Sequence, residues 1–123
     1  MSFIQEVVHH HHHHSHAHGV DPHIWSSIAG AKIIAQNMLE AFIQLDGEHA
    51  DYYKSNYTAL LKEINQTDTV IRQLLAPLKE RTFIIYHPTL TYFAKEFDLT
   101  QLCIEMDGKE PSPAILAQLI ATA

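Results

Sequence analysis

The sequence predicts an α/β fold, two helices followed by the β-α-β-α opening of a parallel sheet. Three observations carry this. Apolar residues recur at three- and four-residue steps from Ser26 to Leu78, the period of an amphipathic helix. The β-branched and aromatic clusters "TFIIYH" and "LTQLCIEM" then replace that period and read as strands. Helical patterns separate and follow the two clusters, and strands alternating with helices build parallel sheets.

Residues 1–25 are a polar, His-rich lead. The first helix starts at Ser26, with Ala31, Ile34, Ala35, Met38, Phe42 and Leu45 on one stripe. Ser26 or Ser27 can cap its first amides, and Gly47 stands where a left-handed C-terminal residue is expected. A second helix is predicted from about Glu48 to Ala76. Its stripe is Tyr53, Tyr57, Leu60, Ile64, Ile71, Leu74 and Leu78, with Thr67 filling the one gap and no internal Gly or Pro. At 1.5 Å per residue such a helix is a rod of ~42 Å, too long for the interior of a small domain, and Pro77 ends it. Thr82 to His87 is the first strand. "PTLTYFAKEF" follows as a helix with Leu90, Phe93 and Phe97 on one face, and Leu99 to Met106 is the second strand. The last helix has Ser112 as N-cap and Pro113 at its first position. Two strands are too few for a stable sheet, and the last helix carries no C-cap signal. The chain is therefore expected to be a piece of something larger.

Composition narrows the function. The chain has 123 residues and a formal net charge of -6, with only eight Lys and Arg, scattered. Nucleic-acid binding needs clustered cations to neutralise phosphates, so that class is excluded. No run approaches the ~20 apolar residues of a membrane span, and "MSFIQEVV" lacks the basic start and apolar length of a signal peptide. No direct membrane insertion is expected. The lone Cys103 has no disulfide partner and reads as a small buried hydrophobe.

The eleven histidines are the anomaly. His9 to His14 run together, and His16, His18 and His23 follow. A tract of this kind binds divalent metal weakly and in several ways at once. Having no apolar face, it is expected to be mobile without metal. His87 ends a predicted strand just before Pro88, where open α/β sheets bind ligands. His23 lies in "DPHIW", after a turn-forming Asp-Pro and beside the only Trp. His49 reads as a solvated surface residue. Two imidazoles are half of a zinc site, and any His-dependent binding should fade below about pH 6.

In order along the chain stand a His-rich loop, "DPHIW", a helix, a long helix ending "LLAPLK", then "FIIYHPTLTYFAKEFDL" and "IEMDGKEPSPAILAQLI". This ordered set resembles the ZnuA/TroA-like family (cluster A-I), the zinc- or manganese-binding substrate-binding proteins of ABC importers. The match runs from about Val20 to the end and covers less than half of such a protein. The resemblance implies a two-lobed metal-binding fold, with 1–25 as His-rich loop and DPHIW segment, and 26–47 as last helix of the first lobe. Residues 48–78 are then the interlobe linker helix and 79–123 the start of the second α/β lobe. It implies His23 and His87 as metal ligands, one from each lobe, with His9, His10, His11, His12, His13, His14, His16 and His18 as an accessory loop. A His early in the first lobe and an acidic residue late in the second complete the family's site, and neither has a counterpart here. "WSSIAG" also departs from the family's usual Pro after Ser. The His pattern runs through His16 and His18 straight into DPHIW, which favours a native loop over a purification tag. Imidazole favours Zn(II), with Mn(II) second because it suits oxygen ligands. The resemblance further implies an ABC permease as partner and a periplasmic or cell-surface location.

Two other readings compete. "HSHAHGVDPH" contains the H-x-H of metallohydrolases after a possible strand, "EVV". Asp21 lies three residues after His18, outside the spacing those motifs use, and no general base follows, so no enzyme activity is expected. A His-rich metal-storage or delivery module would need the tract but not His87.

Overall fold

The computed structural model describes residues 19–105 and 108–122. The His9–His18 tract, with its expected mobility, and the "EVV" strand lie outside the described residues. A 3-10 turn at Ile24–Ser26 leads into α1 (Ile28–Leu45), and a second such turn at Gly47–His49 leads into α2 (Ala50–Leu75). Then come β1 (Thr82–Ile85), α3 (Thr91–Glu96), β2 (Thr100–Cys103) and α4 (Pro113–Thr122). β1 and β2 pair in parallel, Thr82 opposite Thr100 and Ile85 opposite Cys103. The predicted α/β order of elements holds throughout the described residues.

Ser27 caps α1, its Oγ accepting from the Gly30 amide at 2.9 Å. The other end departs from expectation. Asp46 is the C-cap and Gly47 does not take a positive φ, which among the described glycines only Gly108 does. Gly47 instead starts the 3-10 turn that reverses the chain into α2. Tyr53 stacks on Phe42 across that reversal, ring centres 5.3 Å apart. α2 is unbroken over 26 residues, about 39 Å at 1.5 Å per residue. Thr67 does not fill its apolar stripe. It is exposed, and its Oγ1 donates back to the Glu63 carbonyl at 2.9 Å, a local outlet that hydroxyls find on helices.

Both strands are shorter than predicted, four residues each. α3 is also shorter at its start. Leu90 is its N-cap residue, and the Leu90 amide donates to Gln101 Oε1 of β2 at 3.0 Å. The buried centre gathers around α3 and the first 3-10 turn, where Ile24, Ser27, Ala94 and Phe97 are less than a tenth exposed. Phe93 packs on Phe97 at 4.7 Å, and Arg72 of α2 lays its guanidinium over the Phe97 ring at 5.0 Å. Arg81 joins the same region from below. It donates to the carbonyls of Leu75 (3.1 Å), Phe97 (2.7 Å) and Asp98 (2.8 Å). The end of α2 is thereby tied to the α3–β2 turn.

Candidate metal centre

His23 sits at the N-terminal cap of the first 3-10 turn. The turn is set by Asp21. Its Oδ1 accepts from the His23 amide at 2.9 Å, the side-chain turn that Asp forms with the residue two positions on. The same oxygen lies 2.6 Å from His23 Nδ1. Trp25 contacts the His23 ring edge to face, with centres 5.4 Å apart. From α3, Tyr92 Oη donates to the Asp21 carbonyl at 3.0 Å. The His23 loop is thus held from both sides of the chain.

His87 follows β1 by two residues. The ladder continues past the formal strands, the Ile104 amide donating to the Ile85 carbonyl and the Glu105 amide to the Tyr86 carbonyl, each at 2.9 Å. This register brings Glu105 beside His87, and Glu105 Oε2 lies 2.5 Å from His87 Nδ1. Cys103 Sγ donates to the Glu105 carbonyl at 2.7 Å. Burial pushes the Cys103 thiol up from its ordinary pKa, so at neutral pH it is a hydrogen-bond donor and not a thiolate ligand. Cys103 is half-buried and holds the loop that carries Glu105, a more polar role than the buried hydrophobe expected of it.

The two histidines meet. Their ring centres are 6.0 Å apart and their planes cross at 84°. With Zn–N near 2.1 Å, two imidazoles on one tetrahedral ion have centres about 5 Å apart, so the observed pair is roughly one ångström wider. Ionised carboxylates only accept hydrogen bonds. A proton on each Nδ1 would satisfy both contacts and leave Nε2 free. Among the described residues no group of three or more His, Cys, Asp or Glu side chains converges to hold an ion. What the structure brings together is two imidazoles, each paired with one carboxylate.

His49 stays apart, exposed and paired with Asp46 at 2.8 Å, as its surface reading expects. Asp21 and Glu105 are what sequence reasoning missed as partners of the histidines. The Asp-Pro-His spacing carried the signal for Asp21. Glu105 had none in the sequence, because its pairing depends on the register of two strands.

The order of elements defines the class of the fold, an α/β protein. The family model described as "ZnuA: Zinc-uptake complex component A periplasmic" matches residues 2–123, and the chain belongs to that family. It is 31% identical over 105 residues to the high-affinity zinc uptake system protein ZnuA of Bacillus subtilis (strain 168), a match covering 84% of this chain and 33% of that protein. A ZnuA crystal structure superposes with a TM-score of 0.81 at 40% identity, covering 85% of this chain and 41% of that one. A zinc-bound ZnuA deletion mutant gives a TM-score of 0.78 at 40% identity, over 86% of this chain and 41% of the mutant's. The chain spans a third to two fifths of the length of these three relatives. Among the described residues no helix is long and apolar enough to cross a membrane.

Proposed function

We propose that this chain is part of a zinc solute-binding protein that captures Zn(II) through His23 and His87 and delivers it to an ABC-type permease. The observation that supports this most is the approach of two imidazoles from remote segments to 6.0 Å. In this reading residues 26–47 close the first lobe, 48–78 link the lobes and 79–123 begin the second. His23 then belongs to the first lobe and His87 to the second. Two imidazoles leave at least two positions of a tetrahedral ion to water, so binding by these residues alone is weak, and the His9–His18 tract dominates uptake by the chain. Binding and release are coordination events in competition with protons, with no bond made or broken in the cargo. Imidazole ligands favour Zn(II) over Mn(II). The family's periplasmic description supports a periplasmic or cell-surface setting.

Zinc titration of the chain lacking residues 1–18 tests the site. The expected result is weak binding that His23→Ala or His87→Ala reduces further. Binding that is tight and indifferent to both substitutions would place the ligands elsewhere. Binding that vanishes entirely with residues 1–18 would favour a His-rich storage or delivery module.

A further inference from the structure

We propose that Asp21 and Glu105 are positioning residues for zinc capture, each holding one imidazole as its Nδ1–H tautomer with Nε2 presented to the ion. This rests on His23 and His87 being the ligands. Neutral imidazole carries one proton, and in water it prefers to keep it on Nε2, which leaves the wrong nitrogen free. A carboxylate at Nδ1 reverses that preference, because it accepts from Nδ1–H and offers nothing to a bare Nδ1.

Both residues are anchored by contacts besides the imidazole ring they face. Glu105 is fixed by its amide on the Tyr86 carbonyl and by the Cys103 thiol on its own carbonyl. Its side chain is 19% exposed, whereas that of His87 is 58% exposed. In this pair the carboxylate is the sheltered member, whereas in the other the His23 side chain is 19% and that of Asp21 27% exposed. Asp21 accepts from the His23 amide as well as from the ring, and its carbonyl takes the Tyr92 hydroxyl. One carboxylate stands behind each histidine, and the two anchoring systems share no group. Carboxylates placed this way behind metal-bound histidines are worth about 10–100-fold in metal affinity.

The test is long-range proton–nitrogen correlation NMR of the imidazoles in the full chain at neutral pH, first metal-free and then with Zn(II) added. The wild-type chain is expected to show unprotonated Nε2 at His23 and His87, and zinc should shift both. Glu105→Ala should move the proton of His87 towards Nε2 and raise the zinc needed to saturate that residue by about tenfold. The metal-free tautomer of His23 should be unchanged, and its zinc response should move with that of His87, because one ion joins the two. Asp21→Ala should do the converse. Glu105→Gln keeps the shape but adds an N–H that can donate to a bare Nδ1, so it should lose part of the tautomer preference and of the zinc response. A merely structural role would survive in this isostere, and unchanged backbone amide spectra in the Gln variant would show that the fold is kept. A wild-type chain in which zinc shifts both Nε2 atoms, with the Ala variants indistinguishable from it, overturns the positioning role alone. A wild-type chain in which zinc shifts neither overturns the ligand assignment as well.

Discussion

Gly30 shows how one missing atom shapes the site. A Cβ built there would lie 1.8 Å from the Ile24 carbonyl oxygen and 2.9 Å from its carbon, both backbone. Only glycine lets the first turn of α1 pass so close to the 3-10 turn that carries His23. Gly30→Ala should therefore cost about 1–3 kcal/mol by overpacking, read as a lowered midpoint in thermal unfolding. It should also shift the His23 imidazole signals and leave those of His87 in place. An unchanged melting temperature would mean that the turn yields without cost. Gly30 was in plain view in "SSIAGAK", where an isolated Gly in a helical pattern signals close packing, but the sequence does not say which backbone approaches it. His23 and His87 were legible because each stands at a local signal, an Asp-Pro turn and a strand end. Glu105 was not, because its role depends on a neighbour 18 residues away.

At the scale of elements, two junctions fix how the helices meet. Glu96 of α3 accepts from the Ile28 and Ala29 amides at 2.7 and 2.9 Å. These are free N–H groups of the first turn of α1, where a negative charge also suits the helix dipole. Glu96→Ala should cost on the order of 0.5–2 kcal/mol, the range for loss of a helix cap. Thermal melts of Glu96→Ala beside Glu96→Gln would measure it, and equal stability of all three chains would deny the cap. The second junction is the α1–α2 reversal. Tyr53 Oη donates to Asp46 Oδ2 at 2.7 Å, and His49 Nδ1 lies 2.8 Å from the same oxygen. The Tyr53 hydroxyl first, and His49 second, hold the Asp46 carboxyl below its usual pKa. The same hydrogen bond to Asp46, followed by burial, raises the Tyr53 phenol. A lowered carboxyl adds stability that is present above the ordinary Asp pKa of ~3.9 and lost as pH falls through the lowered value. A raised phenol adds stability present below ~10 and lost as pH rises through the raised value. NMR titration should find that Tyr53→Phe brings the Asp46 carboxyl back up, and an unmoved Asp46 would refute the link. Sequence periodicity found every one of these helices, but their ends were set by such through-space partners. The start of α3 depends on Gln101, and Asp46, not Gly47, ends α1.

Across the whole molecule, the predicted apolar stripes are real, but much of their surface is open. Met38 is 54%, Phe42 48% and Leu45 84% exposed. Met38, Phe42, Tyr52, Tyr53 and Leu60 line a groove of about 350 Å³ between α1 and α2. Periodicity tells which face of a helix is apolar and not what covers it, so a core inferred from the stripe overestimates burial in a chain that spans about two fifths of its solved relatives. What the fold does achieve is to carry His23 and His87 to one place. Tyr92 and Glu96 of α3 fasten the start of α1 and its preceding turn, and Arg72 and Arg81 fasten α2 to the same helix. The proposed function requires a zinc ion between those two imidazoles. Anomalous diffraction at the zinc edge, on crystals of the zinc-loaded chain lacking residues 1–18, measures this directly. The expected result is an anomalous peak within coordination distance, ~2.1 Å, of both Nε2 atoms, with water at the remaining positions. A peak at other side chains, with His23 and His87 still bound only to Asp21 and Glu105, would contradict it.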